Sequence, residues 1–198
     1  YKVAKSINIM GIKHAVITSV DRDDLKDGGS IIWAKTVNAI REINPKTTLE
    51  TLIPDFKGDK ESINRIINVS PEVVSHNLET VRRLTREVRI QAKYDRSLEV
   101  LDYLKNNGVN RTKSGIMLGL GETKNEIIDT LNDLRNINVD IVTLGQYLQP
   151  TKNHLEVKEF ISPEQFKEYE IIGKNLGFRH VESGPLVRSS YKAHKHIA

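Results

Sequence analysis

KSGIMLGLGETKNEIIDTLNDLRNINVDIVTLG, residues 113–145, reads as one strand–helix–strand unit. The short apolar, β-branched runs 114–118 and 141–144 have strand character, and 124–137 between them is an amphipathic helical stretch. A strand that follows another through a helical crossover pairs with it in parallel. The same alternation extends both ways. Upstream, strands are expected at 15–20, 48–53 and 73–76, with helices at 31–43, 60–68 and 97–107. Downstream lie a helix at 163–176 and a strand at 179–182. Ser162 and Pro163 have the N-cap and first-turn chemistry of that last helix, and Gly177 stands where a C-terminal glycine belongs. Six strands, recurring about every 25 to 40 residues without a Gly-x-Gly-x-x-Gly opening, favour an α/β barrel or partial barrel over a nucleotide-binding open sheet. Chemistry in such barrels sits at the C-terminal ends of the strands. Residues 1–12 read as a helix presenting Val3, Ile7 and Met10, so the chain is expected to begin inside a barrel whose first strand it lacks.

The whole chain, 1–198, reads as a single domain, with 184–198 as its C-terminal tail. The 30 Lys and Arg residues are interleaved with 26 Asp and Glu, giving a net charge of +4. That pattern indicates no nucleic-acid groove; it suits a mixed, solvated surface with a mild preference for an acidic protein partner. No apolar run approaches the ~20 residues of a membrane span, and no basic-then-apolar leader opens the chain, so a cytoplasmic monomer is expected. Cysteine is absent, which leaves no disulfide, catalytic thiol or Cys-only metal site among these residues. His14, His76, His154 and His180 show no metal-ligand spacing, and His194 and His196 lie in the tail.

The strand ends carry the polar motifs. After the first strand comes TSVDRDDLKDGG (18–29), with Asp21, Asp23, Asp24 and Asp27. Such a cluster either holds a cation or ammonium group or caps the following helix as a solvated loop. The third strand leaves through Asn77 and Glu79, which on an extended exit would point the same way, as recognition of ribose hydroxyls or an amino group requires. The alternative for Asn77 and Thr80 is helix capping. Gly115, Gly119 and Gly121 let backbone approach a flat ligand or a neighbouring helix closely. Residues 146–161 form the longest stretch without periodicity, and 183–191 ends in adjacent Ser189 and Ser190 between Arg188 and Tyr191.

In combination, VITSVDRDDLKDGG (16–29), ETLIPDF (50–56), HNLETV (76–81), KSGIMLGLGET (113–123), LGQYLQPT (144–151) and SGPLVRSSY (183–191) resemble the lipoyl synthase family along essentially the whole chain. The resemblance implies a partial TIM-type (β/α)6 radical-SAM barrel, lacking here its first strand and cluster loop. It implies insertion of two sulfur atoms into an octanoyl chain carried by a lipoyl carrier protein, such as a lipoyl domain of a 2-oxoacid dehydrogenase or the glycine cleavage H protein. A 5′-deoxyadenosyl radical from S-adenosylmethionine would abstract the hydrogens, an external donor would supply electrons, and two [4Fe–4S] clusters would serve, the second giving up sulfur. Their cysteine ligands have no counterpart in this chain, which is therefore expected to bind neither cluster unaided. The resemblance carries S-adenosylmethionine binding to Ser19, Asp21, Asn77, Glu79, Arg89 and the Gly119 backbone. It carries an oxygen ligand of the second cluster to Ser190, with Ser189 the lesser candidate. Two rival readings are a cluster-free relative that only docks carrier proteins and a Schiff-base aldolase with Lys113 as nucleophile; Lys113 lies at the start of its strand, away from the usual catalytic end.

Overall fold

All six expected strands form. The computed structural model describes residues 1–197, and its strands are β1 (His14–Thr18), β2 (Thr48–Leu52), β3 (Val73–Ser75), β4 (Arg111–Leu118), β5 (Ile141–Gln146) and β6 (His180–Gly184). They join one sheet in chain order, each parallel to the next. The helices are α1 (Lys2–Ile9), α2 (Ser30–Ile43), α3 (Lys60–Asn68), α4 (Thr85–Val88), α5 (Tyr94–Asn106), α6 (Lys124–Asn136) and α7 (Pro163–Asn175). Sequential strand order means that every crossover turns the same way, and right-handed crossovers then put the connecting helices on one face. A doubly wound sheet reverses its order and has helices on both faces. Here the sheet instead curls, leaving a concave lumen.

The period-two alternation of each strand divides these faces. Outward residues Val142 and Leu144 of β5 and Ile116 and Leu118 of β4 pack with Leu101 of α5, Ile127, Leu131 and Leu134 of α6, and Phe166 of α7. Val74 of β3 meets Ile63 and Ile66 of α3, and Leu49 of β2 meets Val37 and Ile40 of α2. Each such fully buried aliphatic side chain contributes about 1.5–3 kcal/mol of transfer free energy. The inward positions include polar or small residues: Glu50, Ser75, Lys113, Gly115, Thr143, Gly145. Lys113 and Glu50 make an ion pair although β3 separates their strands, a contact available only across the curved inner face.

Local chemistry sets the helix starts. Thr123 and Glu126 make a reciprocal capping box on α6, and the Ser162 hydroxyl accepts from Gln165 N–H at 3.1 Å ahead of Pro163. Asp27 accepts from the N–H groups of Gly29 (3.1 Å) and Ile31 (2.9 Å), so this aspartate caps α2. Several boundaries differ from expectation. The first helix stops at Ile9 and buries Ala4 and Ile7, while Val3 and Met10 stay exposed. Its inward stripe is set by contact with α2, and Gly11 at φ 62° ends the turn. The 97–107 helix starts earlier, at Tyr94, and α4 precedes it. Gly184 belongs to β6, so the tail proper begins at Pro185.

Both β1 and β6 have a free edge. The tail reaches both: the short 3-10 turn Ala193–Lys195 packs on β1, and the His196 ring lies 5.3 Å from that of His180 in β6.

Candidate functional site

At the C-terminal ends of the strands a cleft of about 220 Å³ opens among Asn77, Glu79, Gly115, Thr143, Gly145 and Ser189. Asn77 and Glu79 do converge, but not through an extended exit. Glu79 sits at φ 65°, in the left-handed region, which costs a non-glycine residue roughly 1–3 kcal/mol. Its N–H donates to Gly115 O at 3.0 Å, and its carbonyl accepts from Met117 N–H at 2.8 Å, so β4 holds it on both sides. The Asn77 amide donates to Glu79 Oε1 at 3.1 Å and to Ser189 Oγ at 3.0 Å. Those bonds fix the amide's orientation and leave Asn77 Oδ1 buried without a partner. A Cβ at Gly115 would stand 2.7 Å from Thr143 Oγ1 and 3.0 Å from Asn77 Oδ1, so only glycine keeps the cleft open there. Burial pushes the Glu79 carboxyl above its ordinary value, against the Asn77 amide and the Arg89 charge, which pull it down. The site thus offers an unsatisfied acceptor, a carboxyl group and bare backbone, which together suit a ligand rich in N–H and O–H donors.

The floor of the β3 exit is rigid. His76 is buried; its Nδ1 lies 2.9 Å from Ile53 O and its Nε2 2.9 Å from Ser97 Oγ. A carbonyl only accepts, so Nδ1 carries the proton and Nε2 accepts from the serine hydroxyl. Arg89 Nη1 donates to Asn77 O at 2.9 Å and also faces a second cleft, of about 170 Å³, with Asp21. Arg89 therefore connects the two clefts, and Asp21 lies in the outer one.

The remaining expected residues lie elsewhere. Ser19 is exposed and lines an apolar hollow between β1 and α2, with Val16 and Trp33. Gly119 does not line the Asn77 cleft: its N–H is taken by Glu122 Oε1 at 2.5 Å and its carbonyl by Lys158 N–H at 2.8 Å. Its positive φ of 99° serves close packing on Gln146 and Glu159, so its backbone is not free for a ligand. Ser190 is exposed; of the two serines, Ser189 turns its hydroxyl to Asn77. In the aspartate cluster, Asp24 pairs with Arg22 and Asp23 with Lys57, besides the Asp27 cap, so the loop reading describes these three. Among the described residues no group of three or more His, Cys, Asp or Glu is arranged to hold a metal. Lys113 is fully buried against Glu50 and faces no open cleft, which leaves the Schiff-base reading without a substrate path. Thr143 and Gly145 also line the cleft, and the inward alternation of β5 is the sequence signal that marks them.

Residues 1–134 match the Radical SAM superfamily family model. The chain is 76% identical over 196 residues to a lipoyl synthase of Flavobacterium johnsoniae, covering 99% of this chain and 68% of that protein. It is 75% identical to a mitochondrial lipoyl synthase of Nematostella vectensis, covering 99% of this chain and 67% of that protein. Among solved structures, HydG, a maturase of the [FeFe]-hydrogenase, superposes with a TM-score of 0.68 at 14% identity, over 91% of this chain and 48% of that one. That last likeness speaks for the fold alone.

Proposed function

The chain belongs to the lipoyl synthase family of the radical SAM superfamily, and on that premise we propose that it forms the S-adenosylmethionine and acyl-chain side of an enzyme that inserts two sulfur atoms into a protein-bound octanoyl group. The observation that carries this is 76% identity over 99% of the chain to a lipoyl synthase. The chain spans about two thirds of that relative's length.

The residues present fit S-adenosylmethionine. Its amino and ribose hydroxyl groups are donors of the kind that the orphaned Asn77 Oδ1 lacks and that the Glu79 carboxyl accepts, and Gly115 leaves room for a flat ring. When bound, this cofactor supplies the radical chemistry that opening an aliphatic C–H bond requires. The chain's part is to bind and orient it. Arg89 anchors the Asn77 carbonyl, β4 clamps Glu79, and Leu52, Met117 and Val187 give the cleft an apolar side suited to an acyl chain. Asp21 joins the proposal through the adjoining cleft; Ser19 and Gly119 have less support, since one is remote and the other is internally bonded. Iron–sulfur clusters do not fit the residues present, because there is no cysteine and no metal-holding group among the described residues.

The reading extends to two clusters in the complete protein, with Ser190 as an oxygen ligand to one. Its exposure supports that role, whereas the Ser189 hydroxyl is engaged by Asn77. It extends also to octanoylated lipoyl domains and the glycine cleavage H protein as substrates, to an external electron donor, and to a monomer in the reducing cytoplasm, where cluster thiolates survive. The test uses the complete, cluster-loaded protein. With S-adenosylmethionine and an octanoylated carrier it should yield the lipoyl product, and Asn77→Leu should weaken S-adenosylmethionine binding at least tenfold. Ser190→Cys should slow sulfur insertion more than 5′-deoxyadenosine formation, and Ser189→Cys should not. Unchanged binding in Asn77→Leu refutes the cleft assignment, and the reverse serine pattern moves the ligand to Ser189.

A further inference from the structure

The lumen contains a buried charge that the proposed chemistry does not use. Lys113 Nζ lies 2.8 Å from Glu50 Oε1, and both side chains are completely buried. An ammonium has three N–H donors, and a carboxylate oxygen satisfies one of them. The other two acceptors both come from the C-terminal tail: Lys113 Nζ hydrogen-bonds the Ser189 carbonyl and lies 3.4 Å from His196 Nδ1. With Nδ1 accepting, the ring proton sits on Nε2, which faces Glu182 of β6 at 3.9 Å. Burial lowers Lys113 and raises Glu50, so desolvation outweighs their attraction on both sides and further hydrogen bonds are needed to hold the pair together.

A second observation shows that the lumen is shaped for this tail. A Cβ at Gly145 would lie 2.2 Å from Val187 O, so β5 has no side chain where the tail backbone crosses it. The tail then places Ser189 Oγ on Asn77, turns through Ala193–Lys195 against β1, and ends with His196 fully buried beside His180. It therefore bridges the two free sheet edges, although β1 and β6 share no hydrogen bond.

We propose that Lys113 is a positioning residue whose ammonium, neutralised by Glu50, latches the tail at Ser189 and His196 and so fixes where the Ser189 hydroxyl stands at the Asn77 cleft. The latch itself is independent of what the cleft binds; only its consequence for the reaction rests on the reading above. A general stabilising role for the ion pair would loosen every strand when removed. A latch should loosen the tail first. Removing one charge alone would strand the other in the lumen, so the paired replacement Glu50→Met/Lys113→Met is the informative variant.

The measurement is amide hydrogen exchange on the full chain, comparing the tail N–H groups of Tyr191, Ala193 and His196 with those of β4 and β5. In Glu50→Met/Lys113→Met the tail amides should exchange at least tenfold faster, while the strand amides stay within about twofold of wild type. His196→Leu, which keeps the charge pair, should free Ala193 and His196 in the same way, and His196→Gln, whose amide oxygen can accept from Lys113, should restore most of their protection. In the complete enzyme, the double variant should produce less lipoyl product per 5′-deoxyadenosine. Equal acceleration in tail and strands, or an unchanged tail in both the double variant and His196→Leu, overturns the latch. Local tail opening with unaltered product partition leaves the latch standing and removes its role at the cleft.

Discussion

Lowering the pH from 7.5 towards 4 should destabilise this chain partly through one side chain, His76. Burial drives its imidazole down from 6.5 to about 4; the Arg89 and Arg96 charges act in the same direction, against the Ile53 carbonyl and Asp55. A histidine whose folded pKa is depressed costs the folded state nothing above its unfolded pKa, because there neither state is protonated. As pH falls below 6.5 the unfolded chain gains a proton that the folded chain refuses until about 4. At about 1.4 kcal/mol per tenfold, the gap between those values amounts to about 3 kcal/mol, a large part of the ~5–15 kcal/mol that holds a typical domain together. Other histidines titrate as well, among them His196, lowered by burial to about 3, so the test is a difference. His76→Gln keeps both hydrogen bonds in principle, its amide donating to Ile53 O and accepting from Ser97, and it cannot titrate. Urea unfolding at a series of pH values should show wild type losing about 3 kcal/mol more than His76→Gln between pH 7 and 4. The His76 ring resonances should stay in their neutral form down to pH 5. Parallel stability curves for the two proteins, or a ring that titrates near 6.5, would refute the burial argument.

Two further outcomes are expected. Gly145→Ala should cost about 1–3 kcal/mol in urea unfolding, because its Cβ would overlap the Val187 carbonyl and that stretch of tail must move; a neutral effect would mean that the tail yields freely. Thr123→Ala should cost about 1 kcal/mol and lower the melting temperature, since it removes the side-chain half of the α6 capping box; a change below a few tenths would show that Glu126 and Arg83 hold the helix end without it.

The strand–helix alternation, and with it the class of fold, is legible in the linear order of residues. Apolar periodicity and capping residues such as Thr123, Ser162 and Gly177 are local signals, and local signals survive in one dimension. The linear order also marks Asn77 and Glu79, because a polar pair at the exit of an apolar strand stands out against its neighbours. How they meet depends on distant contacts: Glu79 enters the left-handed region because Gly115 and Met117, more than thirty residues on, bind its backbone. The division between Ser189 and Ser190 was equally out of reach, since it depends on which of the two faces Asn77 across 112 residues of chain. Gly119 shows the same limit. Its glycine character is real, but the space it preserves belongs to Gln146 and Glu159, which no local pattern relates to it. Lys113 and Glu50 look in sequence like ordinary charged residues of short strands. Sheet curvature turns them inward to face one another, and the desolvation of a closed lumen then makes partners of two charges 63 positions apart.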